Sequence, residues 1–268
     1  MKLAISTLGC PDWDFMRILK EYSALGADIE VRGIDGEMEA DRIDRFTPAR
    51  ERETKALLEQ YGLKIVGFGT SCKFHDLAAL EENIACAKRA IDVCARMGIP
   101  SIRVFGNDIP DKSRMAETAH TVCTGLKAVC AHGEQQGVGV NLEIHGDFNS
   151  TQALRLVVDE MADTPAFGIL WDIEHSDKTC GDDFMPFYKI IRPYVRHVHV
   201  KDYIRKPGGA FELCLMGKGD IPVKAILAQL QRDGYDGYYS FEWEKKWVPQ
   251  LAEPEVAFPA FIDYMKAL

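Results

Sequence analysis

The segment VGVNLEIHG, residues 138–146, decides how this chain folds. Its apolar side chains occupy every second position, and glycine or polar residues fill the positions between them. A period of two is typical of a β-strand whose two faces meet different surroundings. We therefore expect one face to lie in a hydrophobic core, while Asn141, Glu143 and His145 on the other face point into a polar interior.

Eight β-rich runs recur along the chain and alternate with helical patterns. They lie at residues 3–8, 27–31, 64–69, 101–105, 138–144, 167–171, 196–200 and 237–243. Between them, apolar residues three or four positions apart, as at Phe15, Ile18 and Tyr22, predict amphipathic helices. Strand–helix alternation implies parallel strands with right-handed crossovers, and about eight such units close into a barrel. We predict an α/β fold, a single (β/α)8 TIM barrel domain over residues 1–268 with eight strands and eight helices.

Three more of these runs place polar side chains on one face. In VRHVHVKD, residues 195–202, His197, His199 and Lys201 lie opposite the valines. FGILWDIEHS, residues 167–176, and YYSFEWE, residues 238–244, contribute Asp172 and Glu242. Because branched apolar side chains normally fill a barrel interior, we expect this many inward charges to line a solvated, functional mouth.

Four of the polar side chains are candidate metal ligands. Glu143, Asp172, His199 and Glu242 each lie at the same end of one strand–helix unit, so barrel closure would bring them together. His197 lies two residues before His199, about 6–7 Å deeper along the strand, and we expect interior hydrogen bonds to hold it instead. Three carboxylates with one imidazole favour a single Mn²⁺, Mg²⁺ or Co²⁺ ion, with Zn²⁺ also compatible.

Composition and charge argue against several classes of protein. The 268 residues carry a formal net charge of −9 without a block of Lys or Arg, which argues against nucleic acid or an acidic membrane as a partner. The eight cysteines include no CxxC pair and fall mostly on apolar helix faces, as reduced cytosolic thiols do. No signal peptide or membrane-spanning apolar run is visible. We expect a cytoplasmic protein that acts on small molecules, with homo-oligomerisation left open.

Five segments of the chain resemble a known family. GADIEVRG, NLEIHGDF, WDIEHS, HVHVKD and SFEWE are similar to segments of xylose isomerase-like TIM barrels. This sugar phosphate isomerase/epimerase group includes ketohexose 3-epimerases, hydroxypyruvate isomerase and inosose dehydratase. The resemblance implies one divalent ion bound by the four candidate ligands named above. It also implies substrate contacts from His175, three residues after Asp172, and from Arg205, six residues after His199.

The chemistry that this ligand set implies is proton transfer beside a carbonyl group. A bound hydroxyketone would chelate the ion, and polarisation of its carbonyl would stabilise an enediolate as a carbon-bound proton leaves. Glu143 and Glu242 are the expected acid/base pair of such a metal-dependent sugar or hydroxyketone isomerase or epimerase. An inosose-type dehydratase, a lyase, is the alternative. The substrate, a sugar or polyol-ketone, and its phosphorylation state are left open.

Two other functions fit the chain less well. A non-catalytic sugar-binding barrel is expected to have lost part of the ligand set, whereas all four ligands are present here. An abasic-site endonuclease of the same superfamily holds three zinc ions with extra histidines, and its Asp-x-His element does not occur in this chain.

Three further side chains are candidate substrate contacts. His145 lies one layer beyond Glu143, and His75 in GTSCKFHD follows the third strand at the catalytic end. Lys201 faces inward near the predicted metal histidine. For Lys201, an ion pair with Glu143 or Asp172 is the alternative to substrate contact.

Overall fold

The computed structural model describes residues 1–268 and contains ten strands. In chain order these are β1 (Lys2–Ser6), β2 (Asp28–Val31), β3 (Ile65–Lys73), β4 (Ser101–Phe105), β5 (Gly139–Glu143), β6 (Phe167–Asp172), β7 (Val195–Val200), β8 (Asp202–Arg205), β9 (Phe211–Cys214) and β10 (Tyr238–Phe241). Eight of them close a barrel in the order β1, β10, β7, β6, β5, β4, β3, β2, with parallel pairing throughout. The predicted TIM barrel is confirmed.

Nine helices accompany the barrel, one more than the sequence analysis predicts. They are α1 (Phe15–Leu25), α2 (Glu51–Tyr61), α3 (Leu80–Met97), α4 (Met115–Gln136), α5 (Thr151–Met161), α6 (Ile173–Cys180), α7 (Met185–Ile191), α8 (Val223–Arg232) and α9 (Pro254–Lys266). The extra helix arises between β6 and β7, where α6 ends at Gly181 and α7 begins again at Met185. The antiparallel hairpin of β8 and β9 was also not predicted, because its strands are short and partly exposed.

Short connections place the strand ends close together. Helices α1 to α4 each end at a glycine with left-handed backbone, such as Gly26 with φ 73°. A residue with a Cβ atom is strained in that conformation, so glycine allows the chain to leave the helix at once. β2 then begins at Asp28, only two residues after Gly26. Because all eight barrel strands are parallel, their carboxyl ends lie at one end of the barrel.

The polar interior of the barrel is buried at the level of the predicted ligands. Glu143, Asp172, His199 and Lys201 are each 1% exposed or less. Asp172, His199 and Lys201 are covered by paired charges, whereas Glu143 and Glu242 border the cavity that opens above them. Solvent reaches the next layer outward, at a cavity described below.

The remaining predictions about the chain as a whole concern its thiols and its helices. None of the eight cysteines forms a disulfide, and five of them are buried. Burial raises the pKa of Cys10 to about 12, which keeps this thiol protonated. No helix has the length and the apolar composition that crossing a membrane requires.

Candidate active site

Four buried side chains converge at the carboxyl ends of β5, β6, β7 and β10. Glu143 and Asp172 end β5 and β6. His199 lies one residue before the end of β7, and Glu242 directly follows β10. The Nδ1 atom of His199 lies 3.3 Å from a carboxylate oxygen of Glu242, 3.7 Å from one of Asp172 and 3.9 Å from one of Glu143. The fold thus gathers the four predicted ligands around one point, with their ligand atoms within 4.8 Å of one another.

Glu30 on β2 fixes the orientation of the His199 ring. One carboxylate oxygen of Glu30 lies 2.8 Å from His199 Nε2, and the other lies 2.7 Å from His197 Nε2. Because a carboxylate engages Nε2 of His199, its Nδ1 atom is the nitrogen that faces the cluster. His197 is held one layer deeper by its own hydrogen bond to Glu30.

Two cations lie against the buried carboxylates. Lys201 directly follows β7, and its Nζ atom lies 2.8 Å from Asp172 Oδ2 and 2.6 Å from Glu242 Oε2. Arg103, in the middle of β4, forms a buried ion pair with Glu143. Without such partners, each buried carboxylate would cost several kcal/mol. The ion pair between Lys201 and Asp172 that the sequence left as an alternative is present, whereas Arg103 takes the place beside Glu143.

The surroundings of the two glutamates push their pKa values apart. Burial raises the pKa of Glu143 against the opposing attraction of Arg103, and the Glu242 carboxylate adds to the rise. Burial alone would also raise the pKa of Glu242, but the positive charges of His199 and Lys201 hold it well below its usual range. Neighbouring carboxyl groups with opposite shifts are suited to acid and base roles.

The donor atoms of the cluster fit a divalent metal ion. Buried polar atoms nearly always have a hydrogen-bond partner, yet His199 Nδ1 has none and faces three carboxylates. Asp172 Oδ2 also lacks a hydrogen bond of acceptable geometry, although Lys201 Nζ is close to it. Three carboxylate oxygens and one imidazole are ligands that Mn²⁺, Mg²⁺, Co²⁺ and Zn²⁺ accept.

A cavity of about 390 Å³ opens above the cluster at the carboxyl end of the barrel. Glu143 and Glu242 both lie in its wall. His145 and His175 line it as well, with their ring centroids 4.4 Å apart. Trp247, whose surface is 54% exposed, also belongs to the lining. This volume is within the range of small-molecule sites, so the cavity can hold a sugar-sized molecule.

A second cavity of about 470 Å³ opens at the opposite end of the barrel. Ser101, Asn141 and His197 line it, and none of the four candidate ligands does. We assign the chemistry to the smaller cavity, because active sites of α/β barrels are built at the carboxyl ends of the strands.

Three predicted substrate contacts, Lys201, Arg205 and His75, lie outside the lining of the catalytic-end cavity. Arg205 ends β8, and its guanidinium donates to Asp177 at 2.7 Å and to Asp182 at 2.9 Å. His75 has its Nε2 atom 3.8 Å from Asp108 Oδ2. The substrate-contacting roles of Lys201, Arg205 and His75 therefore stay predictions.

The sequence analysis missed several charged residues of this cavity. Arg103 could have been found, because it lies between the buried residues Ile102 and Val104 and so must face the barrel interior. The other missed residues lie beyond the strand ends, where the period of two no longer gives an orientation. They are Glu174, Lys178 and Glu244; Lys73, the last residue of β3, was missed as well.

Comparison with known proteins assigns the chain to a family. A family model described as a xylose isomerase-like TIM barrel matches residues 23–268. The uncharacterised protein YihM of Escherichia coli (strain K12) is 22% identical over 222 residues, which are 73% of this chain and 66%, just under two thirds, of YihM.

Two solved structures share the fold at low sequence identity. The probable 3-DHS dehydratase AsbF of Bacillus anthracis has a TM-score of 0.77 and 17% identity, covering 99% of both chains. A D-allulose 3-epimerase from Methylomonas sp., in complex with D-allulose, has a TM-score of 0.75 and 16% identity, covering 99% of this chain and 97% of the other. A dehydratase and an epimerase thus share this architecture, so the fold alone does not decide the reaction. Because the family match extends over most of its length, the chain belongs to the xylose isomerase-like TIM barrel family.

Proposed function

We propose that the protein is a divalent-metal-dependent isomerase or epimerase of sugars or related hydroxyketones. The observation that carries this proposal is the convergence of His199 Nδ1 and three carboxylates beneath a sugar-sized cavity. A structural ion-pair cluster would not leave a buried imidazole nitrogen without a hydrogen bond among three acids. A divalent ion held by Glu143, Asp172, His199 and Glu242 would polarise a substrate carbonyl and so acidify the neighbouring C–H group.

Glu143 and Glu242 are the residues that we propose to move the proton. They lie on β5 and next to β10, with β6 and β7 between them around the barrel, so they approach a bound substrate from different sides. The pKa of Glu242 is lowered and that of Glu143 is raised, so the two carboxyl groups differ in proton affinity, as the two members of an acid/base pair do. Removal by one and return by the other epimerises a carbon, whereas transfer between neighbouring carbons exchanges an aldose and a ketose.

His145 and His175 are proposed to orient the substrate hydroxyl groups. Burial lowers the pKa of His145 to about 3, and the neighbouring His175 contributes to this shift. The imidazole of His145 is therefore neutral near pH 7 and offers one donor and one acceptor nitrogen. Such a pair of groups matches a hydroxyl group, which also donates and accepts.

A dehydratase is the second candidate, because two carboxyl groups, those of Glu143 and Glu242, lie in the wall of the same cavity. A protonated carboxyl group beside the cavity could donate its proton to a hydroxyl group that leaves from the carbon β to the carbonyl. The product would contain an enone. Ultraviolet absorbance of the enone and the loss of one water in mass spectrometry distinguish this reaction from isomerisation.

Solvent deuterium exchange tests the proposed function. The Mn²⁺-loaded protein is incubated in D₂O with a panel of ketoses and hydroxypyruvate, and ¹H NMR follows the carbon-bound protons. We expect one substrate to exchange, chelation of the ion to abolish the exchange, and Glu143→Gln and Glu242→Gln to slow it by about 10²- to 10⁴-fold. Glu160→Gln is the matched control, because Glu160 pairs with Lys127 on the outer helices.

Metal binding without turnover would contradict the proposal. If the protein binds Mn²⁺ tightly but neither exchanges a proton nor releases water from any member of the panel, a non-catalytic sugar-binding barrel becomes the better description.

A further inference from the structure

One buried cation in the wall of the catalytic-end cavity has no acidic partner. Arg32 directly follows β2, is 8% exposed, and donates from Nη2 to Ser71 Oγ at 2.8 Å. Its Nη1 atom is buried without any hydrogen-bond partner. A buried charge without a partner is costly and therefore rare in folded proteins.

The other inward-facing cations of the same cavity are compensated. Arg103 pairs with Glu143, and Lys178 Nζ lies 2.5 Å from Glu174 Oε1. Lys73 is the exception: it ends β3, lines the cavity with an exposed side chain, and hydrogen-bonds only through its backbone N–H. Arg32, directly after β2, and Lys73, at the end of β3, thus both line the cavity without a direct ion pair to a carboxylate.

The backbone of β3 is shaped to bring these positive charges inward. A Cβ atom at Gly69 would lie 2.9 Å from Arg32 Cδ and 2.6 Å from Arg103 Nη2, so any larger residue would require these two arginine side chains to move. Burial lowers the pKa of Arg32 to about 10, and repulsion from Arg103 adds to this effect. An anion between the two guanidinium groups would relieve that repulsion.

We propose that Arg32, Ser71 and Lys73 bind an anionic group of the substrate, so that the substrate is an acidic sugar or hydroxyketone rather than a neutral one. A guanidinium, a hydroxyl and an ammonium group are typical partners of carboxylates and phosphates. The hydroxyketone end would lie at Glu143 and Glu242, and the anionic end against β2 and β3. This inference rests on the proposed function for the rest of the site.

Three ligands that differ at a single carbon test the subsite. D-fructose, D-fructuronate and D-fructose 6-phosphate share the hydroxyketone at C1 and C2 and carry a hydroxyl, a carboxylate and a phosphate at C6. Isothermal titration calorimetry with the Mn²⁺-loaded protein should show at least one anion binding about tenfold or more tightly than fructose, since hydrogen bonds to charged groups contribute this much. The stronger of the two anions identifies the charged group.

Variants show which residues produce the preference for the anion. Arg32→Gln should remove most of the preference for the anion, about 10- to 100-fold, and leave the fructose affinity within about twofold. Lys73→Gln changes an exposed position on which folding does not depend. It should weaken binding of the anion by about two- to fivefold. Arg114→Gln is the control: this arginine is 64% exposed, lies at the same end of the barrel and is absent from the cavity lining, so all three affinities should persist.

If the parent protein binds the three ligands with equal affinity, or binds none of them, the proposed anion subsite is overturned. This outcome does not depend on whether Arg32→Gln folds. The proposed function fails separately. If fructuronate or fructose 6-phosphate binds selectively and Arg32→Gln abolishes that selectivity, the subsite stands even when no proton exchanges. If fructose exchanges its proton as fast as the anions and binds as tightly, the proposed isomerase function is supported and the proposed anion subsite is contradicted.

Discussion

The barrel strands of the two halves contribute mostly opposite charges to the wall of the catalytic-end cavity. The half built from β5, β6, β7 and β10 supplies the carboxylates Glu143, Asp172 and Glu242, whereas β2, β3 and β4 supply Arg32, Lys73 and Arg103. One half is thus suited to a cation and the other to an anion. The four proposed metal ligands thus depend on a strand that contributes none of them, because Arg103 of β4 pairs with Glu143 of β5.

The cationic half also differs in its use of small residues. Gly69 on β3 gives space to Arg32 and Arg103, and a Cβ atom at Gly67 would lie 4.0 Å from Glu30 Cγ. Long charged side chains from β2 and β4 can therefore cross the barrel interior over β3.

The largest effect on the proton-exchange rate should follow from substitution of a carboxylate in the anionic half. Asp172→Asn removes a ligand charge and takes from Lys201 one of its buried partners. We expect the proton-exchange rate to fall by about 10³-fold or more, since polarisation by the ion and proton transfer are lost together. Metal content by atomic emission should fall in parallel. The control Asp159→Asn, on the exposed face of α5, should change neither.

Removal of the Arg103 side chain tests whether the two halves of the barrel stabilise one another. Arg103→Met leaves Glu143 buried without its partner, and we expect the free energy of unfolding to drop by about 3–5 kcal/mol. Urea unfolding followed by circular dichroism measures this loss. Arg114→Met, which removes an exposed arginine, should stay within about 0.5 kcal/mol of the parent.

A double variant separates electrostatics from packing. In Arg103→Met with Glu143→Gln no uncompensated charge remains, so this protein should recover part of the lost stability. Strict additivity of the two single changes would show that the halves do not interact through this pair.

The sequence predicted the anionic half well and the cationic half poorly, for a physical reason. Glu143 and Asp172 end strands with strong period-two or apolar patterns, and parallel strands in a barrel must converge at those ends. Pairing partners depend instead on register between strands, which composition and local pattern do not encode. The pair of Arg103 with Glu143 follows from the neighbouring registers of β4 and β5, where Phe105 lies opposite Glu143.

Irregular segments limited the prediction in the same way. The hairpin of β8 and β9 carries Arg205 toward Asp177 and Asp182, and neither its turn nor its orientation follows from a repeating pattern. The break between α6 and α7 lies at Gly181 and the residues before Met185. The sequence pattern predicts one helix across this region. The alternation of side chains along a strand therefore predicted their orientation reliably only for residues within the barrel strands.

Glu30 is the exception in the cationic half, and its replacement should have a smaller effect. Glu30→Gln weakens the acceptor that holds Nε2 of His199, so the Nδ1 atom is less firmly directed at the ion. We expect metal affinity to fall by about 10- to 100-fold, the usual range for such supporting residues. Titration with Mn²⁺ and a competing chelator measures this change. Asp28→Asn, on the same strand but bound to Tyr238, should leave the affinity unchanged; an equal loss in both variants would assign the effect to β2 as a whole.

His145 lies where the two halves meet, and its effect should be the smallest. Its ring centroid is 4.9 Å from that of Phe105 on β4 and 4.4 Å from that of His175 on α6. The unfolded chain protonates His145 near its ordinary pKa of 6.5, but burial lowers the pKa in the folded protein to about 3. Between these values the unfolded state binds more protons, so the free energy of unfolding falls as pH falls, by up to about 1.4 kcal/mol per pH unit from this residue. His145→Asn removes that contribution, and urea unfolding from neutral pH to about pH 5 should give a shallower decline than in the parent. Parallel declines would mean that His145 turns outward and is protonated without unfolding, and that the seam between the halves is open to water.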